Sequence, residues 1–371
     1  SLKNGKINYI MLFLENSLEF LKTGGLLSFI LDVSFFETAY LYTRKYLLEH
    51  TNLLSIDYNL ADFEVASGQL ILKLMNGNLN PNNQVRLYDA ETKEIQYVNQ
   101  TQWCNPKDEY KFRINHSTLV ERIIHTIWAK SPLILKDLFP HKNLRTCTML
   151  LDMEDRFTSP QHQSSIDLQR YPYYQGSKSL KAKFGDLHFA KYFYYDKGLQ
   201  DSINDQLKVE LTALGIKNKK RIGLGEQIAY DNPKVYIRQS ATELIATYDE
   251  KRSAANNSLY IFTLQREDAE ARSFLQFMCG WLNSDLLTYY AQNQNIIRNA
   301  KGKQPQIKIA DLYNIRIPAD KIFQNTLAQL VREIYQDKPR QEIIIAKINE
   351  LVYAYYELSG EEITHIRRRN N

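Results

Sequence analysis

Apolar residues at Ile10, Phe13, Leu14, Leu18 and Leu21 recur at the three-and-four spacing of a single buried helix face, which predicts a helix over residues 7–22. Thr23-Gly24-Gly25 ends it, since glycine enters the left-handed conformation at a helix end without steric cost. The short run from Leu26 to Leu31 reads as a strand covered on both faces. Residues 38–50 predict a second amphipathic helix, Leu53 to Tyr58 a second strand and Gln69 to Met75 a third. Helix, strand, helix, strand, turn, strand is the cadence of a doubly wound α/β sheet. No Gly-rich strand-to-helix turn stands before it, so the nucleotide-binding half of such a sheet is missing from the pattern.

Residues 76–83, Asn-Gly-Asn-Leu-Asn-Pro-Asn-Asn, form a turn-rich linker. A hairpin is expected over 85–97 and a helix over 116–129. From Ser131 to Pro318 the pattern breaks into short aromatic-rich strands and loops, apart from one long helix predicted over 269–291. Two amphipathic helices, 322–335 and 341–358, follow and meet at Asp337-Lys-Pro339. The tail ends in Glu361-Glu362 and Arg367-Arg-Arg369, and no internal repeat is visible. The expected fold class is therefore α/β followed by α+β. The expected segments are 1–78, a connecting hairpin and helix over 79–130, a mixed domain over 131–318, and a helical tail over 319–371.

Composition changes this picture only at the edges. The 371 residues exceed the roughly 250–300 at which a single core stops growing, so more than one compact unit is expected. No window approaches the roughly 18 uninterrupted apolar residues of a membrane span, and the polar start does not resemble a signal peptide. Three widely spaced cysteines, Cys104, Cys147 and Cys279, argue for a reducing compartment, and a bacterial cytoplasmic location is expected. The seven histidines show no pair at ligand spacing, so no metal is expected.

The net charge of +5 is mild, but its distribution is uneven. Residues 176–238 hold twelve Lys/Arg against seven Asp/Glu, and residues 290–321 hold six against two. Readers of nucleic-acid sequence combine cations for phosphates with donors that reach base edges. Three segments have that mixture: Arg145 with Thr146 and Thr148; Lys178, Lys181 and Lys183 with two serines; and the amide-rich loop carrying Asn295, Arg298, Lys301, Lys303 and Gln304. Each is also what a solvated loop looks like. The run Lys217 to Arg221 is denser still, and suits phosphates only. The 25 tyrosines suit stacking surfaces as well as cores.

Several pieces match a known family in order and spacing: Phe13-Leu-Glu15, Leu21-Lys-Thr-Gly-Gly25, Phe29-Ile30, Arg44-Lys-Tyr-Leu47 and Asp62-Phe63-Glu64. On these the first 75 residues resemble the later part of adenine-N6 DNA methyltransferases whose recognition domain follows the catalytic one. The resemblance implies the C-terminal half of a Rossmann-like sheet. It also implies that Phe13 packs against the adenine of S-adenosylmethionine and that Phe63 stacks on a flipped target adenine. One departure is Ile10, where the family usually has tyrosine; Tyr9 is one step away. Read without the family, Phe63 is an apolar plug at a sheet end and Phe13 an ordinary core residue, and both alternatives stand.

The rest of the chain is similar to the TaqI-like specificity domain of fused restriction–modification enzymes of type IIG. The stretches that carry this are Pro233-Lys-Val-Tyr-Ile-Arg238, Leu282-Asn-Ser-Asp-Leu286, Gln306-Ile-Lys-Ile309 with Leu312 and Ile315-Arg-Ile-Pro318, and Ile348-Asn-Glu-Leu-Val-Tyr353 through Tyr356, Leu358 and Glu361-Glu-Ile363, which resemble the family's last helices. Arg238 joins the DNA-binding candidates from the first of them. The family's catalytic Asn/Asp-Pro-Pro-aromatic tetrapeptide is absent, because the Asn-Pro pairs at 80–81, 105–106 and 232–233 lack the second proline. No catalytic residue is therefore assigned. The chain reads as a fragment that starts past the catalytic loop, inactive alone, with double-stranded DNA as partner and a monomeric state. S-adenosylmethionine belongs to the parent protein, and magnesium enters only with an upstream nuclease domain. Two other readings remain: a methyltransferase-derived protein-interaction module, and a fragment of an RNA or protein methyltransferase.

Overall fold

Helix α1 (Tyr9–Phe20) buries Met11, Leu14 and Leu18 against a five-stranded sheet, so of the expected face Leu14 and Leu18 are buried, Ile10 and Leu21 are half-buried, and Met11 takes the inward place expected of Phe13. Gly24 turns the chain at φ +78°, and the Asn76 amide donates to the carbonyls of Leu18 and Leu21 at 3.2 and 2.7 Å, satisfying the end of the helix. Strand β1 (Leu26–Asp32), helix α2 (Leu41–His50), strands β2 (Thr51–Leu60) and β3 (Gln69–Asn76), and the hairpin β4 (Gln84–Asp89) and β5 (Ile95–Asn99) follow. This computed structural model describes residues 9–36, 38–60, 68–114, 118–139, 142–160, 170–189, 191–216, 221–298 and 304–370.

The sheet order is β1-β3-β2-β4-β5. β3 lies antiparallel between β1 and β2, while β2 and β4 run parallel, with Ser55 opposite Arg86. The architecture is thus mixed α/β, and the expected hairpin extends this same sheet, with Val85, Leu87 and Val98 in its core. Two buried polar side chains hold the unit together. The Gln100 amide donates to Thr51 O at 2.8 Å and accepts from Leu53 N at 2.8 Å. Arg44, fully buried, donates to Phe35 O, Tyr110 O and Glu109 O at 2.9, 3.1 and 3.2 Å. Those last two residues both take left-handed backbone angles, φ 52° and 54°, a conformation that a non-glycine residue keeps only when its surroundings impose it.

Contacts divide the chain into two compact units, 1–122 with 293–305 and 123–292 with 306–371. After helix α3 (Thr118–Lys130), the second unit is built from short strands: β6 (Leu133–Ile134), β7 (Leu144–Thr146), β8 (Thr158–Ser159), β9 (Arg170–Tyr174), β10 (Lys191–Tyr194), β11 (Lys234–Arg238), β12 (Ala246–Asp249), β13 (Ala254–Ala255) and β14 (Leu259–Phe262). They form two four-stranded sheets, β12-β11-β14-β7 and β13-β9-β10-β8. Between them lies an aromatic core in which Tyr171, Tyr173, Phe193, Tyr230 and Tyr236 are buried. Their hydroxyls are satisfied: Tyr230 donates to Leu224 O at 2.8 Å and Tyr236 to Ser253 O at 3.0 Å. These tyrosines thus fill the interior and do not form a stacking surface.

Three expectations are corrected here. A 17-residue helix, α4 (Lys197–Ala213), stands where strands and loops were expected, capped by Asp196, whose carboxylate accepts from Leu199 N at 2.8 Å. The helix expected over 269–291 is two, α5 (Ala269–Asn283) and α6 (Asp285–Asn293). Ser284 is extended between them, and its hydroxyl accepts from Leu287 N at 3.2 Å, an N-cap that restarts the helix. After α7 (Lys321–Gln336) and α8 (Gln341–Tyr356) comes α9 (Gly360–Asn370), a third helix in a tail expected to hold two. A reciprocal capping box opens it: Ser359 N donates to the Glu362 carboxylate and Glu362 N to the Ser359 hydroxyl.

The α5–α6 junction ties the layers together. The Asn283 amide donates to Ala246 O and its carbonyl accepts from Ala246 N, both at 2.9 Å, along the outer edge of β12. Replacing it in Asn283→Leu leaves the buried Ala246 N–H unpaired. That should lower unfolding free energy by about 1–3 kcal/mol, measured by urea titration; an unchanged midpoint and slope would show that the amide is dispensable.

Candidate nucleic-acid interface

Strand registers gather one group of the candidate cations at a single sheet end. β11 ends at Arg238, which lies opposite Leu259 at the start of β14. The turn before β14 is held to the end of β9 by Asn256 N donating to Tyr174 O at 2.9 Å. Immediately after β9, Gly176 takes φ +45°, and a Cβ there would lie 2.8 Å from Ser258 Cβ, so glycine is required both by conformation and by space. The loop from Gly176 to Lys183 then crosses this end of the sheet, and Phe184 N donates to Ala246 O at 3.0 Å at the start of β12.

Lys178, Lys181, Lys183 and Arg238 therefore sit around one sheet end. Lys178 and Lys181 are exposed and form no ion pair among the described residues. Lys183 is half-buried and committed, 2.9 Å from Glu243 and 3.3 Å from Asp285. Arg238 donates to Ser240 O at 2.7 Å; partial burial lowers its pKa, opposed by Glu243. Sequence reasoning missed the hydrogen-bonding groups at the same end. Ser177, Asn257 and Ser258 are exposed there, side chains suited to base edges and phosphates. The Ala-Asn-Asn-Ser turn signal over 255–258 was the clue available.

The other candidates are not part of this group. Arg145 spends its guanidinium inside the fold, 2.8 Å from Glu226 and bonded to Lys142 O. Thr146 is half-buried opposite Tyr260. Thr148 is a correction: it is buried, its hydroxyl bonded to Tyr173 Oη at 2.6 Å and to Ala255 O at 3.1 Å, so it has no route to a ligand in this conformation. Asn295, Arg298 and Gln304 fall in the first compact unit. Asn295 is left-handed at φ 54°, Arg298 is half-buried and Gln304 is exposed. Lys301, Lys303 and Phe63 lie outside the described residues, as do Lys217 to Lys220.

Phe13 does not pack into the core. It is 61% exposed, while α1 turns Met11, Leu14 and Leu18 inward. A polar cleft of about 280 Å³ at the far end of α1, between Glu19, Tyr46, His50 and Asn78, does not include it. Lys234, inside a stretch that carried the family resemblance, proves to be a core residue: fully buried in β11, it donates to Lys251 O at 2.6 Å. Burial lowers its pKa to about 8, with Asp249 and Asp231 opposing.

Residues 205–318 match the TaqI-like C-terminal specificity domain. No curated protein matches the chain. Among solved structures, the type IIL restriction–modification enzyme MmeI in complex with DNA aligns with 99% of this chain and 53% of its own, at 10% identity and a TM-score of 0.57. The type IIG restriction endonuclease BpuSI aligns over 96% and 50%, at 13% identity and a TM-score of 0.36. A nuclease-deletion mutant of the type ISP enzyme LlaGI aligns over 85% and 36%, at 10% and 0.35. The first of these likenesses shows a shared fold. The resemblance to restriction–modification enzymes with a TaqI-like specificity domain is borne out on these two findings. The chain spans about half the length of MmeI.

The buried lysine gives a pH test. Folded Lys234 titrates near 8 and an unfolded lysine near 10.4. Between those values the unfolded chain binds more protons, so this site adds stability as pH rises from about 8 to about 10.4 and contributes no pH dependence below. The stability difference between Lys234→Met and the unmodified chain should therefore shift in favour of the unmodified chain over that window, by urea unfolding. A difference that stays constant would contradict a proton lost on folding.

Proposed function

We propose that this chain is the DNA-reading part of a restriction–modification enzyme that methylates adenine N6 at a short specific site. The observation that carries the reading is the convergence of Lys178, Lys181 and Arg238 with Asn257 and Ser258 at one sheet end, in the unit that holds most of the residues 205–318 matching a specificity domain. MmeI, which shares the fold, was solved in complex with DNA, which supports the same partner here. Exposed ammonium groups set the position of the duplex through its phosphates, and the amide and hydroxyls of the neighbouring turns read base edges.

Within this proposal the first 78 residues are the C-terminal half of a Rossmann-like methyltransferase sheet. Two features support it: the helix–strand cadence, and the open face of β1, where Leu26 and Ile30 are 66% and 49% exposed although the sequence predicts a strand covered on both faces. Phe13 presents an open ring that fits the adenine of S-adenosylmethionine, which supplies the methyl group when bound. Phe63 keeps its proposed role as the stacking face for the target base on the family resemblance. Unstacking a base costs a few kcal/mol, and an aromatic face returns about 1–3 kcal/mol of it. The chain lacks the catalytic tetrapeptide, so methyl transfer belongs to the parent protein, which we place in the bacterial cytoplasm.

A duplex-binding titration across a salt series tests the reading. Affinity should fall linearly on logarithmic axes, and Lys178→Ala with Lys181→Ala should reduce the slope by about two, one per lost phosphate contact. Arg145→Ala, already paired inside the fold, should leave the slope unchanged. Salt-independent affinity, or a double variant with the slope of the unmodified chain, would refute the interface.

A further inference from the structure

The turn between β13 and β14 is anchored on both sides of one free residue. Asn256 N donates to Tyr174 O at 2.9 Å, its carbonyl accepts from Leu259 N at 3.1 Å, and its side-chain oxygen accepts from Ser258 N at 3.1 Å. Ser258 is held in turn: its carbonyl accepts from Gln239 N at 3.1 Å, and Gly176 lies so close to its Cβ that no side chain fits between them. Asn257 stands between these anchors. It is exposed, and its side-chain amide has no hydrogen-bond partner among the described residues. A free polar group on a backbone fixed at both neighbours is preorganised for a ligand.

The other groups at this sheet end are committed or lack the same pattern. Three amides each spend one end inside the fold: Gln175 donates to Glu154 at 2.6 Å, Gln239 donates to Tyr260 Oη at 3.2 Å, and Asn256 accepts from Ser258 N. Arg238 spends part of its guanidinium on Ser240 O. The neighbouring carboxylates are paired in place, Glu243 and Asp285 with Lys183 and Glu154 with Lys191 at 3.2 Å. Lys178 and Lys181 carry no acceptor, and the exposed hydroxyls of Ser177 and Ser258 turn to donate or accept, so they discriminate little. An asparagine amide holds one acceptor beside one donor in a single plane. In the major groove that pair matches the N6 amino group and N7 of adenine, and no other base presents both.

We infer that Asn257 reads an adenine that stays paired in the duplex, its amide accepting from N6 and donating to N7. The inference rests on the DNA-reading proposal and deepens it from a partner to a base. Selection by the full chain from duplexes with a randomised core, with the bound fraction sequenced, tests it. The unmodified chain should enrich a motif containing an adenine at a position where Asn257→Ala uses every base nearly equally, a loss of about tenfold preference. The remaining positions should keep their bases. Asn257→Asp, whose carboxylate only accepts, should exchange that adenine for cytosine. Lys178→Ala should weaken binding to every sequence and leave the motif intact. Thermal unfolding of both Asn257 variants should match the unmodified chain, because the side chain is exposed. If every adenine of the motif survives in Asn257→Ala, the inference falls and the DNA-reading proposal stands. If the unmodified chain enriches no motif, both fall.

Discussion

The second unit depends on one side chain that behaves as a strand. Asn283 sits at the last turn of α5, and its amide makes both hydrogen bonds that a neighbouring strand would make to Ala246 on the open edge of β12. An uncovered edge leaves backbone groups unpaired and invites pairing with another chain. Here a helix end closes it. The residues on either side reinforce the junction. Gly280 lets α5 approach α7 so closely that a Cβ would lie 2.8 Å from Val331 Cγ2. Trp281 donates to Arg316 O at 2.9 Å and stacks on Tyr356. Asn349 of α8 accepts from Asp285 N at 2.9 Å. Four residues between 280 and 285 thus join a sheet edge, two tail helices and the Arg316 backbone that precedes them.

That junction also sets where the candidate interface lies. Ala246 O receives a second hydrogen bond from Phe184 N, and Lys183 reaches Asp285 directly after the junction. The loop bearing Lys178 and Lys181 therefore starts at a glycine wedged against Ser258 and ends on the Asn283 junction. Pinned at both ends, it holds at a fixed sheet end two ammonium groups that form no ion pair among the described residues, and Lys183 gives up its charge to structure. A paired cation contributes little to phosphate binding unless its partner is displaced, which is why exposure separates Lys178 and Lys181 from Arg145 and Lys183.

Much of the architecture is legible in the sequence. The stripes of α1, α7 and α8 repeat at helical spacing against a core, and periodicity finds them. The capping box at Ser359 and Glu362, three residues apart, is equally readable, but the stretch it opens is too polar to show a stripe that would separate α9 from α8. Helix α4 escaped notice for a different reason: its apolar spacing is present, but it is embedded among aromatic strands and runs past its own core. The site was legible only in part. Cations in loops look alike in sequence, and what divides them is partners far along the chain, such as Glu243 and Asp285 for Lys183 or Glu226 for Arg145. Thr148 was misplaced because nothing local announces that its hydroxyl faces Tyr173 in the core.

The central claim is that one sheet end of the second unit faces DNA. Amine-reactive footprinting, read by mass spectrometry with and without a specific duplex, tests it most directly. The account predicts that Lys178 and Lys181 become protected on binding while Lys347, exposed on the tail helix α8, labels as before. Equal labelling of all three in the bound and free states, under conditions where the duplex is bound, would contradict it.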